Sequence, residues 1–206
     1  MNHRDFKKFT PGTIAHIYNR GNNREKIFHD EQDCRAFLFR LGLCLGFEDE
    51  ELNMHKLTSI PYSRIRITEG NRNSFKLYAF SLIPNHFHIL IEQVGEISIS
   101  KLITKLCSSY SKYRNKKYGR VGHTFQDCFK AVLIESNEQL MWVSNYIHTN
   151  AVKDGIVQHP KDYTWSSYND YAFDRNLPII TNEFLLGTFG DKKNFIKQNS
   201  YVKETL

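Results

Sequence analysis

The period of the apolar positions changes several times along the chain, and each change marks an element. Residues 12–19 read as a strand, opened by Pro11 and Gly12 and closed by the turn-forming Gly21, Asn22 and Asn23. Asp30 then precedes Cys34, Phe37, Leu38, Leu41 and Leu45 at helical spacing, and Gly46 supplies a stop, so a helix with an acidic start is predicted. Two aromatic-rich apolar runs, 76–83 and 86–93, are split by Pro84 and Asn85, the pattern of two antiparallel strands joined by a tight turn. Ile99, Leu102, Ile103, Leu106, Tyr110 and Tyr113 return to the three-and-four spacing of a helix that ends at Gly119. Residues 129–134 predict a fourth strand. Ser136, followed three residues later by Gln139, is a capping-box signature for a last long helix whose buried stripe is Leu140, Val143, Ile147 and Ala151, closing near Lys153 and Gly155.

The resulting order, βαββαβ plus one more helix, predicts an α+β protein of the ferredoxin-like, split-βαβ kind: a four-stranded antiparallel sheet with helices on one face and an additional helix. Residues 48–75 are polar and mixed in charge, with Ile65 and Ile67 alternating with Arg64 and Arg66 before Gly70 and Asn71, and read as an inserted loop or hairpin. Beyond Gly155 the chain is irregular and aromatic, with short helical patterns over 182–187 and 191–202. No Pro-, Gly- or Ser-rich linker interrupts it, so residues 1–173 are expected to form one domain and 174–206 a helical extension of it.

Composition narrows the picture. Of 206 residues, 40% are hydrophobic and 24% charged, enough to bury a core and unlike a disordered chain. No apolar stretch nears the ~20 residues of a membrane span, and Met1 to Thr10 is charged with no apolar run behind it, so a cytoplasmic protein is expected. Cys34, Cys44, Cys107 and Cys128 match no metal-knuckle or redox spacing and read as reduced thiols. The net charge of +6 is concentrated. Between Ser98 and Lys130 stand Lys101, Lys105, Lys112, Arg114, Lys116, Lys117, Arg120 and Lys130 against Asp127 alone, 8 minus 1, or +7. Interleaved with Tyr110, Tyr113, Tyr118 and Phe125, this stripe suits a polyanion, because cations neutralise phosphates and rings stack on unpaired bases; a solvated helix face is the plainer alternative.

Candidate chemistry lies elsewhere. His86 and His88 are two apart on a strand, so both imidazoles leave the same face, as a metal clamp requires. Surface or structural histidines would show the same spacing. Tyr146 and Asn150, four apart on the last helix, stack on one face, where a phenol and an amide oxygen could meet the pair; taken alone they read as a packed aromatic and a helix-end residue. His123 and His148 are further candidate ligands, and Tyr110, Tyr113 and Tyr118 rival nucleophiles.

Four blocks in order sharpen this reading: Ile17 to Arg24 (IYNRGNNR), Ile83 to Ile91 (IPNHFHILI), Gly122 to Gln126 (GHTFQ) and Tyr146 to Asn150 (YIHTN), with a late Tyr163 to Tyr168 (YTWSSY). Together they resemble the REP-associated tyrosine transposases, relatives of the single-strand HUH transposases, over roughly residues 12 to 171. The resemblance implies His86, His88 and Asn150 as ligands of a divalent ion, Mg²⁺ or Mn²⁺, and Tyr146 as nucleophile. It implies cleavage and transfer of single-stranded DNA near hairpins through a 5′-phosphotyrosine, by a monomer or homodimer. Arg20, Asn22, Asn23 and Arg24 would then grip DNA, together with Gln126 and the cations of the basic helix. Ala151 stands where the family has Pro and Cys128 where it has Arg, which leaves a DNA-binding protein of the same fold without cleavage activity as the alternative.

Overall fold

The computed structural model describes residues 9–57 and 72–199. Strand β1 (Ile14–Arg20) leads through a single 3₁₀ turn to helix α1 (Glu31–Leu45) and a short α2 (Asp49–Met54). Strands β2 (Phe75–Ile83) and β3 (His86–Gln93) form a hairpin, followed by α3 (Ile99–Lys117), β4 (Lys130–Leu133) and α4 (Asn137–Lys153). Three short α-helices follow among the described residues: α5 (Tyr168–Ala172), α6 (Glu183–Phe189) and α7 (Lys192–Asn199). All three strand pairings are antiparallel and the order is β2-β3-β1-β4, the split-βαβ arrangement expected from the element order.

The ends of the elements follow local chemistry. Asp30 caps α1 by accepting the Asp33 amide, and Gly46, at φ 91°, ends it in the left-handed region that favours glycine. Ser136 caps α4 by accepting the Gln139 amide, as its spacing predicts. Within 48–75, residues 49–54 are helical, closed at the start by a reciprocal Glu48–Glu51 box, rather than loop or hairpin. The alternation around Ile65 and Ile67 lies outside the described residues.

Strand alternation sorts the sheet into two faces. Ile17, Phe87, Ile89 and Ile91 join Phe37 and Leu41 of α1 and Leu102, Ile103 and Leu106 of α3 in the larger core. The opposite face carries Leu90 and, at a β-bulge between Leu77 and Ala79, both Tyr78 and Ala79; there α4 lays down Leu140, Val143 and Ile147, and Phe195 and Leu185 arrive from α7 and α6. The additional helix therefore has the second face, in company with α5 to α7.

The outer edge of β2 is occupied by the chain beyond α4. Leu82 N–H donates to Trp165 O at 2.8 Å, Ser167 N–H to Phe80 O at 3.0 Å and Thr181 N–H to Leu77 O at 2.8 Å, so these backbone groups are paired. On the other side of the sheet α1 and α3 are locked by Asp33, fully buried, whose carboxylate accepts from Tyr113 Oη at 3.0 Å, Tyr118 Oη at 2.8 Å, Lys117 Nζ at 2.7 Å and the His29 amide at 2.8 Å. Removing one member strands the rest in a low-dielectric interior. Asp33→Ala is expected to cost about 3–5 kcal/mol of folding stability, read by urea unfolding.

Candidate active site

β3 presents His86 and His88 to the second face, and the antiparallel register sets Arg20 opposite His86 and Tyr18 opposite His88. The two imidazoles stand edge to face, centroids 4.9 Å apart. α4 crosses above them and delivers both of its predicted groups. Asn150 Oδ1 lies 3.2 Å from His86 Nε2, and the Tyr146 ring meets His88 at 5.2 Å with planes 89° apart. The four residues singled out from the sequence thus converge within one chain. Ala151 is buried inside α4, which runs on to Lys153, and Cys128 is exposed; neither departure separates the four.

Sequence reasoning missed three neighbours. His16 leaves β1 on the same face, and its Nε2 lies 2.9 Å from His88 Nδ1. Its period-two alternation with Tyr18 and Arg20 was the available signal. Trp142 stacks on Tyr146, centroids 5.7 Å apart and planes 11° apart, and Lys153 Nζ sits 4.9 Å from the Tyr146 ring centroid. Both belong to the α4 face that carries Tyr146, at spacings of four and seven residues.

Burial keeps the imidazoles neutral. It lowers His16 from 6.5 to about 4 and His88 well below its ordinary value, the latter with help from His16, His86 and Arg20. His86 is lowered by burial too, with Arg20 acting in the same direction against Asp154 and Asn150. Neutral imidazoles offer lone pairs. Burial raises the Tyr146 phenol, Asn150 and Arg20 draw it down, and Asp154 and Tyr18 push it up.

The donor set suits a divalent cation. His88 Nε2 is buried without a hydrogen-bond partner, while its Nδ1 is held by His16. His86 Nδ1 faces Asn85 Oδ1 at 2.6 Å; in the tautomer with the hydrogen on Nδ1, the Nε2 lone pair meets Asn150 Oδ1 as a second acceptor. His86, His88 and Asn150 are the residues that would hold such an ion. Two nitrogens and an amide oxygen would leave coordination positions open, as catalytic sites do. No group of three or more His, Cys, Asp and Glu side chains placed for a metal occurs among the described residues.

The predicted DNA-binding residues divide. Residues 20–24 and 122–126 come together beside the histidine strand: Gly21 bridges Phe125, Asn22 N–H donates to Thr124 O at 2.9 Å and Gln126 N–H to Arg20 O at 2.9 Å. A Cβ on Gly21 would fall 2.2 Å from Glu25 O, so only glycine fits there. Arg20, Asn22, Asn23, Arg24 and Gln126 are exposed around this junction. The basic helix α3 packs on the other face, so Lys101, Lys105, Lys112 and Lys116 are not brought to the histidines. Arg114 and Lys117 are corrections to the polyanion-binding stripe. The Arg114 side chain is 2% exposed and donates to Lys26 O at 2.8 Å, and Lys117 is bound to Asp30 and Asp33, so neither cation is presented to solvent. Arg120, exposed, pairs with Glu25 at 2.7 Å. Tyr110 and Tyr113 are fully buried and cannot stack on bases or attack a substrate, and Tyr118 is engaged with Asp33.

With the geometry in place, comparison with known proteins assigns the family. A sequence model described as "Transposase IS200 like" matches residues 11–150, and the chain belongs to that family. Among solved structures, a REP-associated tyrosine transposase bound to a REP hairpin is similar, with a TM-score of 0.54, 17% identity, and coverage of 85% of this chain and 88% of that one. At that identity the likeness establishes the fold. No curated protein matches. No helix among the described residues is long and apolar enough to cross a membrane.

His148, the other candidate ligand on α4, is a core residue. Its Nε2 lies 2.8 Å from Ser167 Oγ and its ring is edged by Tyr171 and Phe195. Burial lowers it from 6.5 to about 3, with Asn199 and Ser144 opposing and Arg175 assisting. The unfolded chain takes this proton near pH 6.5 and the folded chain resists it to about 3, so folding stability falls as pH drops through that window. The expected slope is about 1.4 kcal/mol per pH unit from this imidazole, measured as the difference in slope between wild type and His148→Gln in urea titrations.

Proposed function

We propose that the chain cleaves and rejoins single-stranded DNA beside hairpins, with Tyr146 as nucleophile and His86, His88 and Asn150 as ligands of Mg²⁺ or Mn²⁺. The observation that carries this reading is the meeting of the Tyr146 ring and the Asn150 amide with two neutral imidazoles, one of them holding a buried, unpartnered nitrogen. Membership of the IS200-like transposases supports it, and the hairpin seen with the similar transposase suggests the substrate.

In the proposed reaction the Tyr146 oxygen forms a bond to phosphorus, the bond from phosphorus to the 3′ oxygen breaks, and the proton lost by the phenol is balanced by one gained at the 3′-hydroxyl. The DNA 5′ end is left on the protein as a phosphate ester, which keeps the bond energy available for rejoining. The bound ion would supply Lewis-acid stabilisation of charge on the phosphate oxygens. A phenol with an ordinary pKa of ~10 is a poor nucleophile at neutral pH. Here burial, with Asp154 and Tyr18, holds the Tyr146 phenol above its ordinary value, Asn150 and Arg20 offset only part of that, and activation would fall to the bound ion; Trp142 and Lys153 brace the ring. His16 fixes the orientation of His88 so that Nε2 faces the site. The exposed side chains of Arg20, Asn22, Asn23, Arg24 and Gln126 would grip the flanking strand, and 174–199 belongs to the same catalytic domain, with 200–206 outside the described residues.

Labelled hairpin DNA incubated with the protein and Mn²⁺ should yield a covalent adduct on a denaturing gel. Tyr146→Phe should abolish it; an adduct that survives this change places the nucleophile elsewhere. In isothermal titration, His16→Ala should weaken Mn²⁺ binding about 10–100-fold, and an unchanged affinity would remove His16 from the support of the metal site.

A further inference from the structure

We infer that Trp142 forms a stacking subsite for the nucleobase that borders the phosphate placed at Tyr146. The inference deepens the proposed function and rests on it. Trp142 is 49% exposed although it is the largest apolar side chain on α4, and the structure buries the neighbouring apolar positions Leu140 and Val143 almost completely. An indole left half in water forgoes burial that a covering ring would restore.

Its position says what that ring is. Trp142 lies four residues, about 6 Å along the axis, before Tyr146, with the two ring planes 11° from parallel. The indole therefore continues the face on which the phenol sits, and Lys153 Nζ lies over the phenol ring. Arg20 stands on β1 opposite His86 and acts electrostatically on the Tyr146 phenol. A DNA strand whose phosphate reaches the Tyr146 oxygen has cationic groups for its backbone at Arg20 and Lys153, and within one residue's reach an exposed aromatic plane parallel to the phenol. Stacking on such a plane tolerates any base, because every base has a π-face. It would hold the nucleotide beside the reacting bond without reading sequence, which falls to the 20–24 and 122–126 junction.

A purely structural role, in which Trp142 only braces Tyr146, makes a different prediction, and a double-mutant cycle separates the two. Hairpin oligonucleotides with a single-stranded flank are prepared intact and with one abasic position moved through the flank, and binding is followed by fluorescence anisotropy in EDTA, where cleavage does not intervene. Trp142→Ala should weaken binding of the intact oligonucleotide about 5- to 150-fold, and Trp142→Phe should retain most of it. At one flank position the abasic substitution should weaken wild type by a similar factor while costing Trp142→Ala almost nothing further. Equal losses by both proteins at every abasic position, or no loss on Trp142→Ala, would overturn the subsite. The adduct assay with Tyr146→Phe reads the catalytic proposal separately: coupling at Trp142 with an adduct that survives Tyr146→Phe would keep the base contact and discard the nucleophile.

Discussion

The packing of α4 across β2 and β3 is the constraint on which the site depends. Leu140, Val143 and Ile147 bury against Tyr78, Ala79 and Leu90, and their spacing fixes the rotation of the helix about its axis. That rotation turns Tyr146 and Asn150 toward the histidines. Three buried aliphatic side chains contribute about 1.5–3 kcal/mol each, whereas one buried polar atom without a partner costs about 1–3 kcal/mol. Apolar contact along one stripe of the helix is thus strong enough to hold a poorly satisfied polar cluster beside it. The bulge that turns both Tyr78 and Ala79 to this face widens the platform the helix rests on.

Charge is distributed by the same logic of layers. Where the fold needs a cation it buries one, as Lys117 on Asp33 and Arg114 on the carbonyl of Lys26, and these hold the far side of the sheet together. Where the site needs electron pairs it buries imidazoles, which low polarity keeps uncharged. Arg20 and Arg24 remain accessible at the end of β1, where two loops distant in sequence are stitched by backbone hydrogen bonds, while Lys101, Lys112 and Lys116 face solvent on α3. A net positive count over a stretch of sequence therefore overstates the charge a polyanion would meet.

Much of the fold was legible because local signals and tertiary need agreed. Pro84 and Asn85 mark the hairpin turn, and the strand limits 86–93 follow from it; Asp30, Gly46 and Ser136 mark helix ends by their own hydrogen bonding and backbone conformation. The pair His86 and His88 and the pair Tyr146 and Asn150 were visible as spacings, and the family resemblance joined them. What was not legible depends on partners far away in sequence. Arg114 and Lys117 look like solvent cations until Asp33 and the carbonyl of Lys26, more than eighty residues earlier, are folded beneath them. Tyr110 and Tyr113 carry hydroxyls that suggest a surface, yet each finds one buried acceptor, Ile27 O and Asp33. His16 belongs to no motif, and only strand pairing reveals that it touches His88. The short α2 was hidden in a polar stretch where its capping box was the sole cue.

One feature of α4 has mechanical weight. The phenol of Tyr146 and the carboxamide of Asn150 ride on the same rod, one turn apart, so neither can be repositioned without carrying the other. Sliding or tilting that rod would withdraw phenol and carboxamide together, giving an all-or-nothing arrangement rather than one that loses its parts in sequence. The two imidazoles, on an inner strand of the sheet, would stay behind as a fixed dock.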